Sequence, residues 1–162
     1  MTRVYLSLGS NIEPGKNLQA AIDELRGEFD RIVVSPAYRF PAVGFAGPEF
    51  VNLAVGIDTD LDVFALNDWL HALEDRHGRR RDVPRYSSRT LDVDIVLYGD
   101  RVISGRQNLE VPRAELLQTF VLQPLADIAA DVIHPTLHKS IGELWSSGSA
   151  SGSPGLPAVL TA

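Results

Sequence analysis

The chain of 162 residues contains no cysteine, which excludes disulfides and thiolate metal sites and makes a reducing cytoplasm its natural setting. It has only two lysines, Lys16 and Lys139, and no Gly-x-x-x-x-Gly-Lys, so it is not a P-loop enzyme; the kinase glycine-rich signature is missing as well. No apolar run reaches the ~18 residues of a membrane span. The start, Met1 to Leu6, enters a strand pattern without the long apolar core of a secretory leader. An excess of positive charge is also lacking: the net charge is -6 and the pI near 5.1, which argues against a general nucleic-acid binder. What remains is ordinary globular composition, 44% hydrophobic and 22% charged, enough to bury a core in a single domain.

Val4, Leu6 and Leu8 alternate with Arg3, Tyr5 and Ser7, the period of a half-buried strand that ends at Gly9-Ser10-Asn11. After the turn residues Pro14-Gly15, Leu18, Ala21, Ile22 and Leu25 mark an amphipathic helix, with Gly27 expected as its C-terminal cap. A second strand is expected over Arg31 to Phe40, then a proline-bracketed apolar loop, Pro41 to Pro48. A third runs from about Phe50 to Asp58, with Val51, Leu53, Val55 and Ile57 toward the core and Phe50 with Asn52 on the opposite face. Val63, Leu66, Leu70, Leu73 and His77 space out a second helix, which Gly78 ends. A fourth strand runs from Leu91 to Tyr98. That order predicts a ferredoxin-like split βαβ sandwich, an α+β fold with helices packed on an antiparallel sheet. A Pro112-led helical turn and helices near Leu125–Ala130 and Ile141–Trp145 follow. The expected division is one domain over residues 1–145 and a flexible, small-residue tail over 146–162.

Six arginines crowd between Arg76 and Arg89, namely those two with Arg79, Arg80, Arg81 and Arg85. In an acidic protein such an island suits a compact anion, the alternative being a solvated charge run. Directly after it, Asp92 and Asp94 are two apart in a strand and present both carboxylates on one face, while Val93, Ile95 and Leu97 point to the core. Paired carboxylates repel unless a cation sits between them, and hard oxygen ligands of this kind suit Mg²⁺ completed by water and phosphate oxygens. Alone, an Asp-x-Asp reads as two solvated residues; beside the arginines it reads as equipment for phosphoryl transfer. Phe50 offers a stacking face and Asn52 both a donor and an acceptor, fit for a flat heteroaromatic, with Phe120 as an opposing ring or an ordinary core residue. His71 and Glu74, one helical turn apart, contact ligand or pair with arginine.

The order of Tyr5-Leu6-Ser7-Leu8-Gly9-Ser10-Asn11, Tyr38-Arg39 with Pro41 and Gly44, Phe50-Val51-Asn52, Gly78-Arg79, Arg89-Thr90-Leu91-Asp92-Val93-Asp94-Ile95 and Phe120 to Leu125 resembles the 6-hydroxymethyl-7,8-dihydropterin pyrophosphokinase family of folate biosynthesis, over about residues 2 to 145. The resemblance implies a ferredoxin-like fold and transfer of pyrophosphate from ATP to the pterin's hydroxymethyl oxygen, releasing AMP. Asp92 and Asp94 match the family's Mg²⁺ ligands, for two ions. Asn52 matches the residue that hydrogen-bonds the pterin, Phe50 and Phe120 the aromatic pair around it, and Val43 a backbone contact. Arg79, Arg81 and Arg89 match arginines that close on the triphosphate, Glu74 a recurrent acid near the active centre, and His71 and Ile95 residues near the nucleotide.

The chain departs from the pattern where the family reads Trp-Gly-Pro-Arg and this sequence has Tyr86-Ser87-Ser88-Arg89. It carries Arg113 where the family has His after Val-Pro, and Gln118 where the family has an arginine; Arg113 offers a replacement charge for ATP. The resulting expectation is a cytoplasmic, monomeric, Mg²⁺-dependent ATP:pterin pyrophosphokinase acting on small molecules, with no nucleic-acid or membrane partner. The alternatives are a divergent paralogue, a non-catalytic small-molecule-binding module on the same fold, and a two-metal phosphodiesterase, against which the acidic charge counts.

Overall fold

A computed structural model describes residues 1–42, 45–78, 82 and 88–160. The elements run β1 (Thr2–Ser10), α1 (Pro14–Glu28), β2 (Asp30–Val34), β3 (Ala37–Phe40), β4 (Phe50–Thr59), α2 (Val63–Arg76), β5 (Asp92–Tyr98), β6 (Ile103–Ser104), β7 (Glu110–Val111), α3 (Thr119–Ala129), α4 (Ile141–Ser146) and β8 (Leu156–Ala158). The main sheet is antiparallel in the order β5-β1-β4-β3-β8, with β2 also on β4, and β6 pairs with β7 apart from it. The split βαβ order is therefore present, and the α+β sandwich with it. The expected second strand is interrupted at Ser35-Pro36 and becomes β2 and β3, because proline cannot donate to a ladder.

Pro14 opens α1 rather than a turn, since a first-turn residue has no use for the amide hydrogen that proline lacks. Gly27 lies inside α1 and Phe29 closes it, its amide donating to the Leu25 carbonyl at 2.9 Å. Asp62 caps α2 by accepting from the Ala65 amide at 2.8 Å. His77 caps the other end, and Gly78 takes a positive φ of 79° that other residues adopt at a cost.

The sheet is covered on both faces. On one, Val4, Leu6, Leu8, Leu53, Val55, Ile57, Val93 and Ile95 bury against Leu18, Leu25, Leu66, Leu70 and Leu73 of α1 and α2. On the other, Tyr5, Ala54, Val96 and Leu97 bury against Leu116, Val121, Leu122, Leu125, Ile141 and Leu144 from the C-terminal third. Leu97 belongs to this second core and not the first. Tyr5 pairs with Leu97 and Leu6 with Ile95, so Val96 is an extra residue that shifts the alternation by one.

The segment expected to be a flexible tail supplies β8, which pairs Leu156, Pro157 and Ala158 with Arg39, Tyr38 and Ala37. Its small residues serve close approach: a Cβ on Gly155 would lie 2.5 Å from the Phe40 ring. Among the described residues, no helix is long and apolar enough to cross a membrane.

Candidate active site

Strand register places the sequence-derived candidates. Asp92 pairs with Gly9, Gly9 with Asn52, and Asn52 with Tyr38, so these four form one row across β5, β1, β4 and β3 on the face of the second core. Asp94, Ser7 and Ala54 form the next row. Phe50 pairs with Phe40 one step the other way. With strands about 4.8 Å apart, the Asp92 and Asn52 backbones stand about 10 Å apart. Gly9 between them is required by space: a Cβ there would lie 2.6 Å from Asn52 Nδ2.

At the Asn52 end the surroundings are aromatic and dry. Asn52 is 7% exposed, and its Oδ1 is buried without a hydrogen-bond partner, an acceptor left for a donor on whatever enters. Phe50 is half-buried, with the Phe45 ring edge-on at 6.4 Å; Phe45 was not anticipated, since nothing in an apolar loop marks one ring over another. Phe120 lies in the first turn of α3, half-buried and packed against the second core.

At the other end, charge of one sign is concentrated. The Asp94 side chain is 31% exposed, yet burial, and after it the neighbouring Asp92 carboxylate, pushes its pKa up to about 8. Arg113 Nη2 lies 3.5 Å from Asp94 Oδ1, and its Nε donates to Glu115 Oε1 at 2.8 Å. Burial works to lower the guanidinium's pKa, but the facing Asp94, Glu115 and Asp92 charges outweigh it and raise it. Arg113 thus faces the carboxylates as a partial counter-ion, too distant for a close hydrogen bond to Asp94.

The donor set fits a hard divalent cation on the structure's own terms: two carboxylates on one face of β5, with the Asp92 charge adding to the burial that raises the Asp94 pKa. Among the described residues no group of three or more His, Cys, Asp or Glu could hold a metal, so any further ligands have to come from water or substrate.

The backbone around the pair is held by groups of its own. Glu74 is 2% exposed and its Oε2 accepts the Val93 amide at 2.8 Å, from the residue between the two aspartates. Because β5 is the outer strand, this carboxylate satisfies an edge amide and anchors the pair to α2. Asn11, which the sequence marked as a turn residue closing the Tyr5–Asn11 motif, clips Arg89 in place: its backbone amide donates to the Arg89 carbonyl at 3.0 Å, and its Oδ1 accepts from the Arg89 amide at 2.8 Å. Its Nδ2 reaches Ser88 Oγ and the Pro48 carbonyl, both at 3.3 Å. Arg89 itself is 8% exposed.

Asn52, Phe50, Asp92 and Asp94 therefore share one face of the sheet, with Arg113 against Asp94, and Arg89 is buried just ahead of β5 in the chain. His71 is exposed on α2, and the Ile95 side chain is buried in the first core on the opposite face. Val43, Arg79 and Arg81 lie outside the described residues, as do Arg80, Arg85, Tyr86 and Ser87.

Residues 5–130 match the family model of 7,8-dihydro-6-hydroxymethylpterin-pyrophosphokinase. The 2-amino-4-hydroxy-6-hydroxymethyldihydropteridine pyrophosphokinase of Pseudomonas aeruginosa is 43% identical over 138 residues, covering 82% of this chain and 84% of that protein. The Haemophilus influenzae protein of the same name is 34% identical over 140 residues, covering 83% and 86%. In fold the chain is similar to a solved HPPK-DHPS chain in complex with substrates, with a TM-score of 0.70 at 14% identity, covering 90% of this chain and 43% of that one. A wild-type HPPK-DHPS structure from Plasmodium falciparum gives 0.66 at 12% identity, covering 90% and 44%. The chain spans less than half the length of these solved proteins, and at such identity the likeness concerns fold. The family model and the two bacterial relatives extend through both the Asn52 and the Asp92-Asp94 strands, and on that evidence the chain belongs to the 7,8-dihydro-6-hydroxymethylpterin-pyrophosphokinase family.

Proposed function

We propose that this chain transfers the pyrophosphoryl group of ATP to the hydroxymethyl oxygen of 6-hydroxymethyl-7,8-dihydropterin, using Mg²⁺ at Asp92 and Asp94. The hydroxymethyl oxygen bonds to the β-phosphorus, the bond from that phosphorus to the α–β bridging oxygen breaks, AMP leaves, and the hydroxyl proton passes to solvent. The observation that carries the reading is the buried, unpartnered Asn52 Oδ1, set across Gly9 from Asp92 in one register row, with Asp94 on the same face in the next. An acceptor in a dry aromatic pocket selects a flat ring that presents N–H groups, as a pterin does.

Phe50 and Phe120 supply the faces for stacking, and Asn52 fixes the ring's in-plane orientation. That orientation points the hydroxymethyl group along the row toward Asp92. When bound, Mg²⁺ supplies neutralising charge and a fixed template for triphosphate oxygens. Asp92 and Asp94 would hold it, with Glu74 keeping their strand segment in place. Arg89 and Arg113 bring positive charge to the same edge, where negative charge redistributes as the group is transferred. Among the described residues no side chain stands out as a general base, so alignment of the hydroxyl with the β-phosphorus carries much of the work. The reading extends to a monomer in the cytoplasm, a reducing compartment with which the lack of cysteine is in keeping.

Incubation with ATP, Mg²⁺ and the hydroxymethyl-dihydropterin tests the proposal. AMP and the pterin diphosphate are expected in equal amounts. ADP as product, or no turnover with well-folded protein, overturns it.

A further inference from the structure

Two walls of the proposed pterin pocket depend on one segment that lies beyond the 5–130 stretch matched by the family model. The first wall is the start of α3, which carries Phe120. Gln118 at its N-cap makes no side-chain capping bond. The chain's C-terminal strand segment supplies the cap in its place: the Thr119 amide donates to the Ser151 carbonyl at 2.9 Å, and the Ser151 amide donates to the Leu117 carbonyl at 2.7 Å. These bonds form a parallel bridge at Gln118 and fix the residues on either side of it. Gly152, with φ of 106°, allows the approach, since a Cβ there would lie 2.9 Å from Thr119 Oγ1.

The second wall is β3, whose Tyr38 pairs with Asn52 and whose Phe40 pairs with Phe50. β8 covers the outer edge of β3 through Ala37, Tyr38 and Arg39. Gln123 ties this edge to α3: its Oε1 accepts the Gly155 amide at 2.7 Å, and its Nε2 donates to the Gly155 carbonyl at 3.4 Å. Tyr38 Oη donates to Asp127 Oδ2 at 2.5 Å, a second tie between β3 and α3.

We propose that residues 150–160 are a brace for the pterin pocket, in which the Ser151 backbone caps α3 under Phe120 and β8 fixes the strand beside Phe50 and Asn52. This rests on the reading of those three residues as the pterin site. β8 lies at the opposite edge of the sheet from β5, which carries Asp92 and Asp94, so the brace sets pterin affinity and leaves nucleotide affinity nearly alone. Holding a platform ring in its bound position removes an ordering cost that binding otherwise has to meet.

The test is the chain ending at Ser149, which keeps the amides of Ser147, Gly148 and Ser149 that close α4. The parent and the shortened chain are compared for binding of fluorescent 6-hydroxymethylpterin, binding of a non-hydrolysable ATP analogue with Mg²⁺, and hydrogen exchange. The expected result is pterin affinity weaker by about tenfold, nucleotide affinity within about twofold, and faster exchange of the Thr119, Val121 and Leu122 amides with β4 still protected. If the shortened chain does not fold, Ser151→Pro in the full chain, which deletes the amide bonded to Leu117, is expected to give the same split. Unchanged exchange at the start of α3 overturns the brace whatever binds in the pocket. Equal loss of pterin and nucleotide reduces it to general stability and also overturns it. A parent chain that binds no pterin while the α3 amides respond as expected sinks the pocket reading and the brace's role in it, and leaves the mechanical coupling standing.

Discussion

The two faces of the central sheet are built from alternate residues of the same strands, yet they differ in kind. On the first face Leu6, Leu8, Leu53, Val55 and Ile57 are each 0% exposed and belong to one apolar core. On the second, the same strands present Tyr5, Ser7, Gly9, Asn52, Ala54, Asp92 and Asp94, apolar under α3 and polar beyond it. Strand periodicity of two lets one set of strands carry stability on one side and chemistry on the other. The separation has a consequence for mutation: substitutions one residue apart are expected to act on different properties.

The largest effect expected is that of Asp94→Ala, whose side chain contributes to the polar face only. Turnover in the ATP-and-pterin assay should fall by about a thousandfold or more, as when a group stabilising transferred charge is lost. The melting temperature should stay within a few degrees of the parent's, and substantial residual activity would remove Asp94 from the metal role. Its counterpart is Leu53→Ala on the apolar face, which should cost about 2–5 kcal/mol in denaturant titrations through transfer and cavity terms. Because Leu53 neighbours Asn52 in sequence, a loss of pterin affinity larger than the loss of stability would break the comparison.

Asn52→Ala should weaken pterin binding by about 1–3 kcal/mol in calorimetry while nucleotide binding is kept, the cost of leaving ligand donors unmatched. An unchanged pterin affinity would take Asn52 out of the site. The smallest effect concerns pH. With its pKa raised to about 8 from an ordinary 3.8, Asp94 keeps its proton in the folded chain where the unfolded chain has lost it. The folded state binds more protons in that window, so this group lowers the stability of the metal-free protein as pH rises from about 4 to about 8. Asp94→Asn should flatten that decline by about 1 kcal/mol, a figure kept small by solvent screening of a side chain nearly a third exposed. An identical pH profile in the variant would show that the carboxylates do not strain each other.

Much of this was legible in the chain because the signals are local. Val4-Leu6-Leu8 and Leu53-Val55-Ile57 announce their strands by alternation, and Asp92 and Asp94 announce a shared face by the same rule. Features that depend on distant pairing were not legible. The second core, which covers Tyr5 and Ala54, comes from α3, whose helical pattern is interrupted by Pro124. The shift at Val96 that turns Leu97 over is a property of the β1–β5 register, not of either strand alone. Glycine and serine in residues 146–155 resemble a linker, although Gly152 and Gly155 are small because Thr119 and the Phe40 ring lie against them. Asn11 stood in the sequence as a turn residue at the end of the Tyr5–Asn11 motif with no role attached, since its role is to meet Arg89, 78 positions away.

The central claim is that one register row, running from Asn52 across Gly9 to Asp92, aligns the pterin with the triphosphate. A crystal structure with hydroxymethylpterin, Mg²⁺ and a non-hydrolysable ATP analogue measures this directly. The account predicts a pterin N–H in hydrogen-bond contact with Asn52 Oδ1 and a cation ligated by both Asp92 and Asp94, with the hydroxymethyl group facing the β-phosphorus. A pterin bound elsewhere with Asn52 Oδ1 still unpaired, or a cation held away from the two aspartates, would contradict it.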